Sequence, residues 1–182
     1  DVYKRQALRN LSKALNTYSK QQWHARPLPG NSVSTATISI RNPADHNDVV
    51  GTVVEAHADD VEHALAFATS SVDMWQQITP TQRATILLRA ADLFQLHAEE
   101  LIALAIREAG KTIPNAIGEL REAIDFLRYY SIQITAAQPN KALGPVVCIS
   151  PWNFPLSIFT GQVSAALAAG NTVLAKPAEQ TP

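Results

Sequence analysis

Two short motifs, SPWNFP at residues 150–155 and KPAEQTP at residues 176–182, carry side chains whose types could do chemistry. The amide of Asn153 and the ammonium of Lys176 donate hydrogen bonds, and the carboxylate of Glu179 accepts them. Each motif directly follows a run of apolar residues that is typical of a strand. The motifs therefore place polar groups at strand ends, where a ligand can bind.

Cys148 is the only cysteine among the 182 residues, and a single cysteine can be a catalytic nucleophile. It lies between Val147 and Ile149 in an apolar run, and such neighbours raise the pKa of a thiol and keep it protonated. The 5 histidines are scattered without the i, i+4 spacing of metal ligands. We predict that Cys148 is a buried core residue, and we expect neither a metal site nor a disulfide framework.

The segments before the first motif and between the two motifs have the pattern of a β-α-β unit. ALGPVVCIS predicts a strand buried on both faces, PLSIFTGQVSAALAAGN predicts a helix that stops at Gly-Asn, and TVLAK predicts a second short buried strand. Two parallel strands joined by one helix cross over right-handedly, and ligands bind beyond the carboxyl ends of such strands. Both motifs should therefore open onto one edge of the same sheet in an α/β fold.

The residues upstream of this unit have the patterns of a β-hairpin followed by helices. Residues 36–55 predict two antiparallel strands around the turn cluster NPADHN, and residues 7–20 have helical spacing ahead of a connector, RPLPGNS. Asp59 or Asp60 is predicted to cap the first helix after the hairpin. The inward face of that helix is predicted to consist of Val61, Ala64, Leu65, Ala68 and Val72.

Two longer helical stretches follow. Thr79 and Pro80 have the N-cap and first-turn pattern of a stretch that should break near His97 and end at Gly110. Another helix should begin near Pro114. Its inward residues are predicted to be Ile117, Leu120, Ile124 and Leu127.

The composition is that of one globular core, with 46% hydrophobic residues and a formal net charge of −1. The 15 basic and 16 acidic residues form no basic stripe, so nucleic acid is not an expected partner of this segment. No apolar run approaches the roughly 18 residues that span a bilayer, and no signal-peptide pattern is present. Together with the single cysteine, these features predict a cytoplasmic protein.

The two ends of the chain suggest how it is divided. Residues 1–6, DVYKRQ, are interpreted as a translated sequencing-adapter remnant and are left out of the fold prediction. Residues 7–35 are interpreted as a lead-in and linker, and residues 36–182 as the domain. Because the chain stops at KPAEQTP, where a strand has ended and another helix should begin, we expect this domain to be incomplete.

The combination of SPWNFP after a buried strand, an apolar helix, AAGN and KPAEQTP resembles the cofactor domain of the aldehyde dehydrogenase superfamily. The resemblance extends to RNPAD, VVGTVVEA, ILLRAADLF and EAGKTIPNAIGELREAIDFLRYY, and so covers most of Gln22 to Pro182. REAIDFLRYY and QQWHARPL are most similar to the glutamate-semialdehyde (pyrroline-5-carboxylate) dehydrogenase domain of the bacterial proline utilisation A family. This implies the N-terminal part of the aldehyde dehydrogenase fold, truncated, with a β-hairpin and helices leading into a Rossmann-like parallel sheet.

The resemblance also implies a reaction and a cofactor. The parent protein would oxidise L-glutamate 5-semialdehyde to L-glutamate with NAD, whereas FAD would belong only to a separate proline dehydrogenase domain of the parent. The parent is expected to be a homo-oligomer, and a peripheral position at the inner membrane stays open. The alternatives are another NAD-dependent semialdehyde or aldehyde dehydrogenase, and a non-catalytic binding module built from half a dehydrogenase.

The same resemblance implies roles for the residues of the first motif. Asn153 matches the oxyanion-hole asparagine, with a helix N-cap as its alternative role. Phe154 would line the aldehyde pocket, with plain core packing as its alternative. The nicotinamide side of the cofactor would be flanked by Ser150, Pro151 and Trp152.

Three charged residues are matched in the same way. Lys176 and Glu179 match the positions that bind the adenosine ribose hydroxyls, and an exposed ion pair is their alternative. Glu122 matches a carboxylate that receives the amino group of the substrate, and a solvated helix face is its alternative. The family's catalytic cysteine, general-base glutamate and pyrophosphate-binding glycine turn belong downstream of Pro182, and no G-x-G-x-x-G motif is present. The chain by itself is therefore expected to be inactive.

Overall fold

Helices dominate the part of the chain that the structure describes, and this part also contains two small sheets. The computed structural model describes residues 2–28, 36–136 and 141–182. In chain order the elements are α1 (Val2–Tyr18), β1 (Trp23–Ala25), β2 (Ile38–Asn42), β3 (Asp45–Val53), α2 (Ala58–Ser70), α3 (Val72–Gln77), α4 (Pro80–Leu96), α5 (Ala98–Ala109), α6 (Ile113–Ala136), β4 (Pro145–Ile149), α7 (Ser157–Ala168) and β5 (Thr172–Lys176). None of the described helices is both long and apolar enough to cross a membrane.

The predicted hairpin is confirmed. β2 and β3 are antiparallel, with Ile40 opposite Gly51, and the turn between them is tighter than the NPADHN cluster, since β3 already begins at Asp45. β1 pairs with β3 in parallel, so the strand order is β1-β3-β2. The lead-in therefore contributes a helix and a strand, and residues 2–6, interpreted above as an adapter remnant, lie in α1. Residues 29–32 of the predicted connector lie outside the described residues.

A buried arginine fastens the lead-in to the rest of the fold. Arg107 on α5 makes two hydrogen bonds to Asp48 on β3, at 2.6 and 3.0 Å, and donates to the backbone carbonyls of Tyr18 and Gln21. Its guanidinium carbon also lies 5.3 Å from the centroid of the Trp23 ring. The hydrogen bonds from Arg107 hold the pKa of Asp48 below its ordinary value. One paired charge thus connects α1, β1, β3 and α5.

The predicted helix boundaries around α4 and α5 are confirmed. Thr79 caps α4 by accepting a hydrogen bond from the amide of Gln82, whose side chain accepts one from the Thr79 amide, and Pro80 occupies the first turn. The helix breaks at His97, which ends α4 and precedes α5. Gly110 ends α5 in the left-handed conformation with φ 64°, which glycine adopts without steric cost.

The predicted cap and inward face of α2 were partly wrong. His57 is the N-cap, and Asp60 instead accepts a hydrogen bond from the His57 amide at 2.9 Å. Val61 and Leu65 are exposed, whereas Ala68 is buried. The physical reason is that α2 packs against the β4-β5 sheet through small side chains, which leaves the bulkier neighbouring residues outside the contact. Val72 belongs to the separate short helix α3.

The main hydrophobic core lies between α4, α5, α6 and α7. The predicted inward residues of α6 are confirmed, since Leu120, Ile124 and Leu127 are buried and Ile117 packs against them at the edge. The partners that α4, α5 and α7 contribute to this core are Leu87, Ala91, Ile102, Ala105 and Ala168. This core fixes α6 against α7, and it is α7 that follows the first polar motif.

The β-α-β unit is confirmed, with β4 and β5 parallel and α7 between them in sequence. Helix α7 begins at Ser157, two residues later than Pro155 suggests. The prediction that β4 is buried on both faces was wrong, because Val147 and Ile149 are 61% and 63% exposed. Successive side chains of a strand point to opposite faces, and only the Cys148 face is buried here. Among the described residues no element covers β4 at Val147 and Ile149.

Candidate active site

The two polar motifs meet at one edge of the β4-β5 sheet. Ile149 pairs with Lys176 at the carboxyl ends of the strands, and the amide of Ser150 donates to the Lys176 carbonyl at 3.0 Å. Residues 150–156, which we call the β4-α7 turn, leave the sheet there and lead into α7. The parallel register thus brings the turn next to the Lys176–Glu179 segment, as the sequence predicted.

Asn153 lies at the exposed part of the β4-α7 turn. It does not cap α7, because the N-cap position is taken by Leu156. Within the described residues its side-chain amide has no hydrogen-bond partner. The amide therefore remains able to donate to a ligand oxygen.

Phe154, the next residue of the turn, is 41% exposed, so its ring is not a buried core side chain. The Nζ atom of Lys111 lies 4.1 Å from the centroid of this ring, which is the geometry of a cation–π contact. Lys111 follows Gly110, and the left-handed conformation of that glycine sets the direction in which the chain leaves α5.

A buried carboxylate supports the other end of the turn. The Oε1 atom of Glu119, on α6, accepts hydrogen bonds from the amides of Leu156 and Ser157 at 2.8 and 3.3 Å. Its Oε2 atom lies 3.0 Å from Nζ of Lys111, and the two side chains are 1% and 11% exposed respectively. The sequence analysis missed both residues. The available signal was that Glu119 lies on the apolar stripe of α6, between Ala116 and Ala123, where an ionised residue needs a partner.

The side chains expected to flank the nicotinamide differ in how accessible they are. Ser150 is buried, and its hydroxyl bonds at 3.2 Å to Oε1 of Gln162 on α7, another residue the sequence analysis missed. Pro151 is half-buried, and the ring of Trp152 is exposed. The surface available to a ligand on this side of the turn is therefore the ring of Trp152 and part of Pro151.

Lys176 and Glu179 form an ion pair at the carboxyl end of β5, with Nζ 2.8 Å from Oε1. Both side chains are exposed, and Lys176 also donates to the Pro177 carbonyl. The hydrogen bond from Lys176 holds the pKa of Glu179 below its ordinary value, so this carboxylate is ionised at neutral pH. The pair presents a donor and an acceptor side by side.

Glu122 lies apart from these groups. It is exposed in an open groove on α6, one turn beyond Glu119, and shares this groove with Arg121, Asp125, Phe126 and Tyr129. No hydrogen bond or ion pair joins it to the β4-α7 turn within the described residues.

A cavity of about 260 Å³ lies behind the turn, between the β1-β3-β2 sheet and α5. Leu156 of the turn and Thr181 of the second motif contribute to its wall. Glu108 of α5 also faces this cavity, and burial raises its pKa to about 7. The charged contacts to the turn itself come from Lys111 and Glu119.

The prediction for Cys148 is confirmed. The residue is buried, and burial raises the pKa of its thiol above the ordinary value. A protonated thiol inside a strand is a poor nucleophile. Cys148 is therefore a buried side chain of β4, as expected of a core residue.

Replacing Cys148 by alanine in the full-length protein should leave kcat within about threefold, because only the packing of one small side chain is lost. Steady-state kinetics of the variant beside the unsubstituted protein measure this. Loss of nearly all turnover, without a loss of stability, would contradict the assignment of Cys148 to the core.

The chain is similar in sequence to a known protein family and to several of its members. A family model described as "Aldehyde dehydrogenase family" matches residues 31–182. The bifunctional protein PutA of Escherichia coli (strain K12) is 50% identical over 186 residues, an alignment that covers 100% of this chain and 14% of PutA. The 1-pyrroline-5-carboxylate dehydrogenase of Anoxybacillus flavithermus is 40% identical over 156 residues, or 78% of this chain and 30% of that enzyme. The chain thus spans less than a third of the length of these relatives.

Solved structures show the same fold. The 1-pyrroline-5-carboxylate dehydrogenase from Thermus with bound NAD matches with a TM-score of 0.87 and 32% identity, covering 97% of this chain and 38% of that one. Proline utilization A from Bdellovibrio bacteriovorus matches with a TM-score of 0.89 and 30% identity, covering 97% and 20% respectively. The expected α/β class, and the expectation that the chain is a portion of a larger fold, are therefore confirmed.

Proposed function

The chain belongs to the aldehyde dehydrogenase family, and from this membership we propose that the full-length protein oxidises L-glutamate 5-semialdehyde to L-glutamate with NAD, in proline catabolism. The observation that carries the proposal is the parallel pairing of β4 with β5, which places the β4-α7 turn beside Lys176 and Glu179. The relatives named PutA and 1-pyrroline-5-carboxylate dehydrogenase support this choice of aldehyde.

Lys176 and Glu179 are the residues that would hold NAD. Their donor and acceptor atoms lie 2.8 Å apart and are exposed, which suits the two neighbouring hydroxyls of the adenosine ribose. The exposed ring of Trp152 would offer an apolar surface to the nicotinamide half. When bound, NAD supplies a ring that accepts a hydride from the substrate carbon.

Asn153 and Phe154 would act on the aldehyde. The free amide of Asn153 would donate a hydrogen bond to the aldehyde oxygen, which becomes negatively charged when a nucleophile adds to the carbon. Phe154 would bound the aldehyde pocket with its exposed ring face, and Glu122 would receive the amino group of the substrate. Burial raises the pKa of the Cys148 thiol, which disfavours it as a nucleophile, so the nucleophile would come from a part of the full-length protein outside residues 1–182.

NADH formation by the purified full-length protein tests this function. Glutamate 5-semialdehyde, succinate semialdehyde and propanal would be compared at saturating NAD. We expect kcat/KM to be at least about tenfold higher for glutamate semialdehyde, because only this substrate carries the amino group that Glu122 can bind. Preference for either of the other two would indicate a different aldehyde dehydrogenase. A lack of turnover with all three would indicate a non-catalytic module.

Replacing Glu179 by serine should raise kcat/KM for NADP at least about tenfold relative to NAD. NADP carries a phosphate in place of the ribose 2′-hydroxyl. The Glu179 carboxylate would therefore lose a hydrogen-bond donor and repel the phosphate, and serine removes that repulsion. Steady-state kinetics with both cofactors measure the ratio. The matched control is Glu62→Ser, at an exposed position on α2 far along the chain from the motif. An unchanged NADP-to-NAD ratio in Glu179→Ser would show that Glu179 does not contact the ribose.

A further inference from the structure

We infer that Lys111 and Glu119 are positioning residues, which hold the β4-α7 turn so that Asn153 and Phe154 face the aldehyde. This inference rests on the proposed function for the identity of the aldehyde. Among the described residues, the contacts of Lys111 are with the Glu119 carboxylate and the Phe154 ring, and not with the polar side chains of either motif. Glu119 is almost completely buried. Both residues therefore act through the turn.

Glu119 fixes the end of the turn at the start of α7. The N-cap residue of that helix is Leu156, whose side chain cannot accept a hydrogen bond, so the first amides need an acceptor from elsewhere. Glu119 supplies it to Leu156 and Ser157, and a carboxylate at a helix N-terminus is also favoured by the helix dipole. Because Glu119 belongs to α6, which packs in the main core, the start of α7 is held by a helix of that core.

Lys111 fixes the middle of the turn. Its ammonium lies 3.0 Å from the Glu119 carboxylate and 4.1 Å from the centroid of the Phe154 ring, so it connects the anchored carboxylate to the ring. A partly desolvated cation–π contact favours one orientation of an exposed ring. Asn153 directly precedes Phe154, so the orientation of that ring also restrains the backbone of Asn153.

The opposite end of the turn is already fixed by the sheet. Ser150 donates to the Lys176 carbonyl and bonds to Gln162, so the backbone is held at residue 150 and again at residue 156. Asn153 and Phe154 lie between these anchors, where Lys111 provides the charged contact. A displacement of a reacting group by about 1 Å can cost about 10²-fold in rate, so this contact matters for the proposed reaction.

Lys111→Met in the full-length protein removes the charge and keeps the length of the side chain. We expect kcat with glutamate semialdehyde to fall about tenfold, while the Kd for NAD stays within about twofold because the ribose-binding pair is untouched. Lys111→Arg keeps a cation and should recover kcat to within about threefold of the unsubstituted protein. Lys13→Met, at an exposed position on α1, is the matched control and should change neither quantity.

A double-mutant cycle separates positioning from general stability. In an Asn153→Ala background, Lys111→Met should lower kcat by less than about threefold, because the residue that it positions has lost its amide. Glu119→Gln is the second variant, used if Lys111→Met folds poorly. It keeps an acceptor for the α7 amides and removes only the negative charge that pairs with Lys111, so its effect on kcat should also shrink in the Asn153→Ala background. An undiminished tenfold loss from both substitutions in the Asn153→Ala background would overturn the inference.

Amide hydrogen exchange tests the inference independently of any activity. Lys111→Met should speed exchange in residues 152–157 about tenfold and leave β5 unchanged, whether or not glutamate semialdehyde is the substrate. Failure of the unsubstituted protein to oxidise that aldehyde would reject the proposed function alone. Unchanged exchange in residues 152–157 of the Lys111→Met protein would reject the positioning role alone.

Discussion

Replacing Asn153 by alanine in the full-length protein should lower kcat for glutamate semialdehyde about 10²–10³-fold, while the Kd for NAD stays within about twofold. The effect should be this large because, in the proposed role, the amide would donate to an oxygen whose negative charge develops only during the reaction, so its loss would be felt in the transition state and not in binding. Two observations support this expectation: the Asn153 amide at the exposed turn has no hydrogen-bond partner among the described residues, and the α7 N-cap is Leu156.

Steady-state kinetics and calorimetric titration with NAD measure the two quantities. The matched control is Asn115→Ala on α6, which removes the same amide from another exposed asparagine and should leave kcat within about twofold. If Asn153→Ala reduces kcat no more than this control does, Asn153 does not stabilise the oxyanion. If NAD binding is lost together with kcat, the turn has been disrupted instead.

Replacing Gly51 by alanine should detach β1 from β3, at a cost of about 3 kcal/mol. Gly51 pairs with Trp23, and an added Cβ would overlap the carbonyl oxygen of Trp23 and lie 2.9 Å from its carbonyl carbon. These are backbone atoms, so the clash cannot be relieved by a side-chain rotation. The strand that the lead-in contributes would have to leave the sheet.

Amide exchange in residues 23–25 and 51–53 measures this opening, and about 3 kcal/mol corresponds to exchange about 100-fold faster. Gly118→Ala is the matched control, because a Cβ at Gly118 on α6 meets nothing within 4 Å. That substitution should slow exchange in α6 by a few-fold, since alanine favours a helix by roughly 0.5–1 kcal/mol over glycine. Unchanged exchange of β1 in Gly51→Ala would show that the parallel pairing contributes little.

The parts of the fold that could be predicted from the sequence are those set by neighbours along the chain. Thr79 followed by Pro80, Gly110 at a helix end, and the two apolar runs around a helix each reflect local backbone preferences, and the structure has all of them. The approach of the two motifs could also be predicted, since parallel strands joined by a helix leave their carboxyl ends at one edge. These predictions needed no knowledge of long-range contacts.

The contacts that support the site could not be predicted in this way. Glu119 and Leu156 are 37 positions apart. Nothing in the sequence around either residue indicates that Glu119 accepts hydrogen bonds from the first amides of α7. The exposure of Val147 and Ile149 depends likewise on which elements cover the sheet, and a β-branched run is compatible with one covered face or two. The position of Glu122 in an open groove also depends on how α6 packs against its neighbours, which helical periodicity alone does not fix.

Because Cys148 is buried, the rate at which a reagent modifies its thiol reports how often β4 opens. A thiol reagent cannot modify the sulfur while the strands around it are closed, so each labelling event records an excursion in which β4 comes loose. Residues 1–182 contain 1 cysteine, so a label found within these residues has a single source. The labelling rate, followed against denaturant or added NAD, would thus give the local opening equilibrium beneath the β4-α7 turn, without any introduced probe.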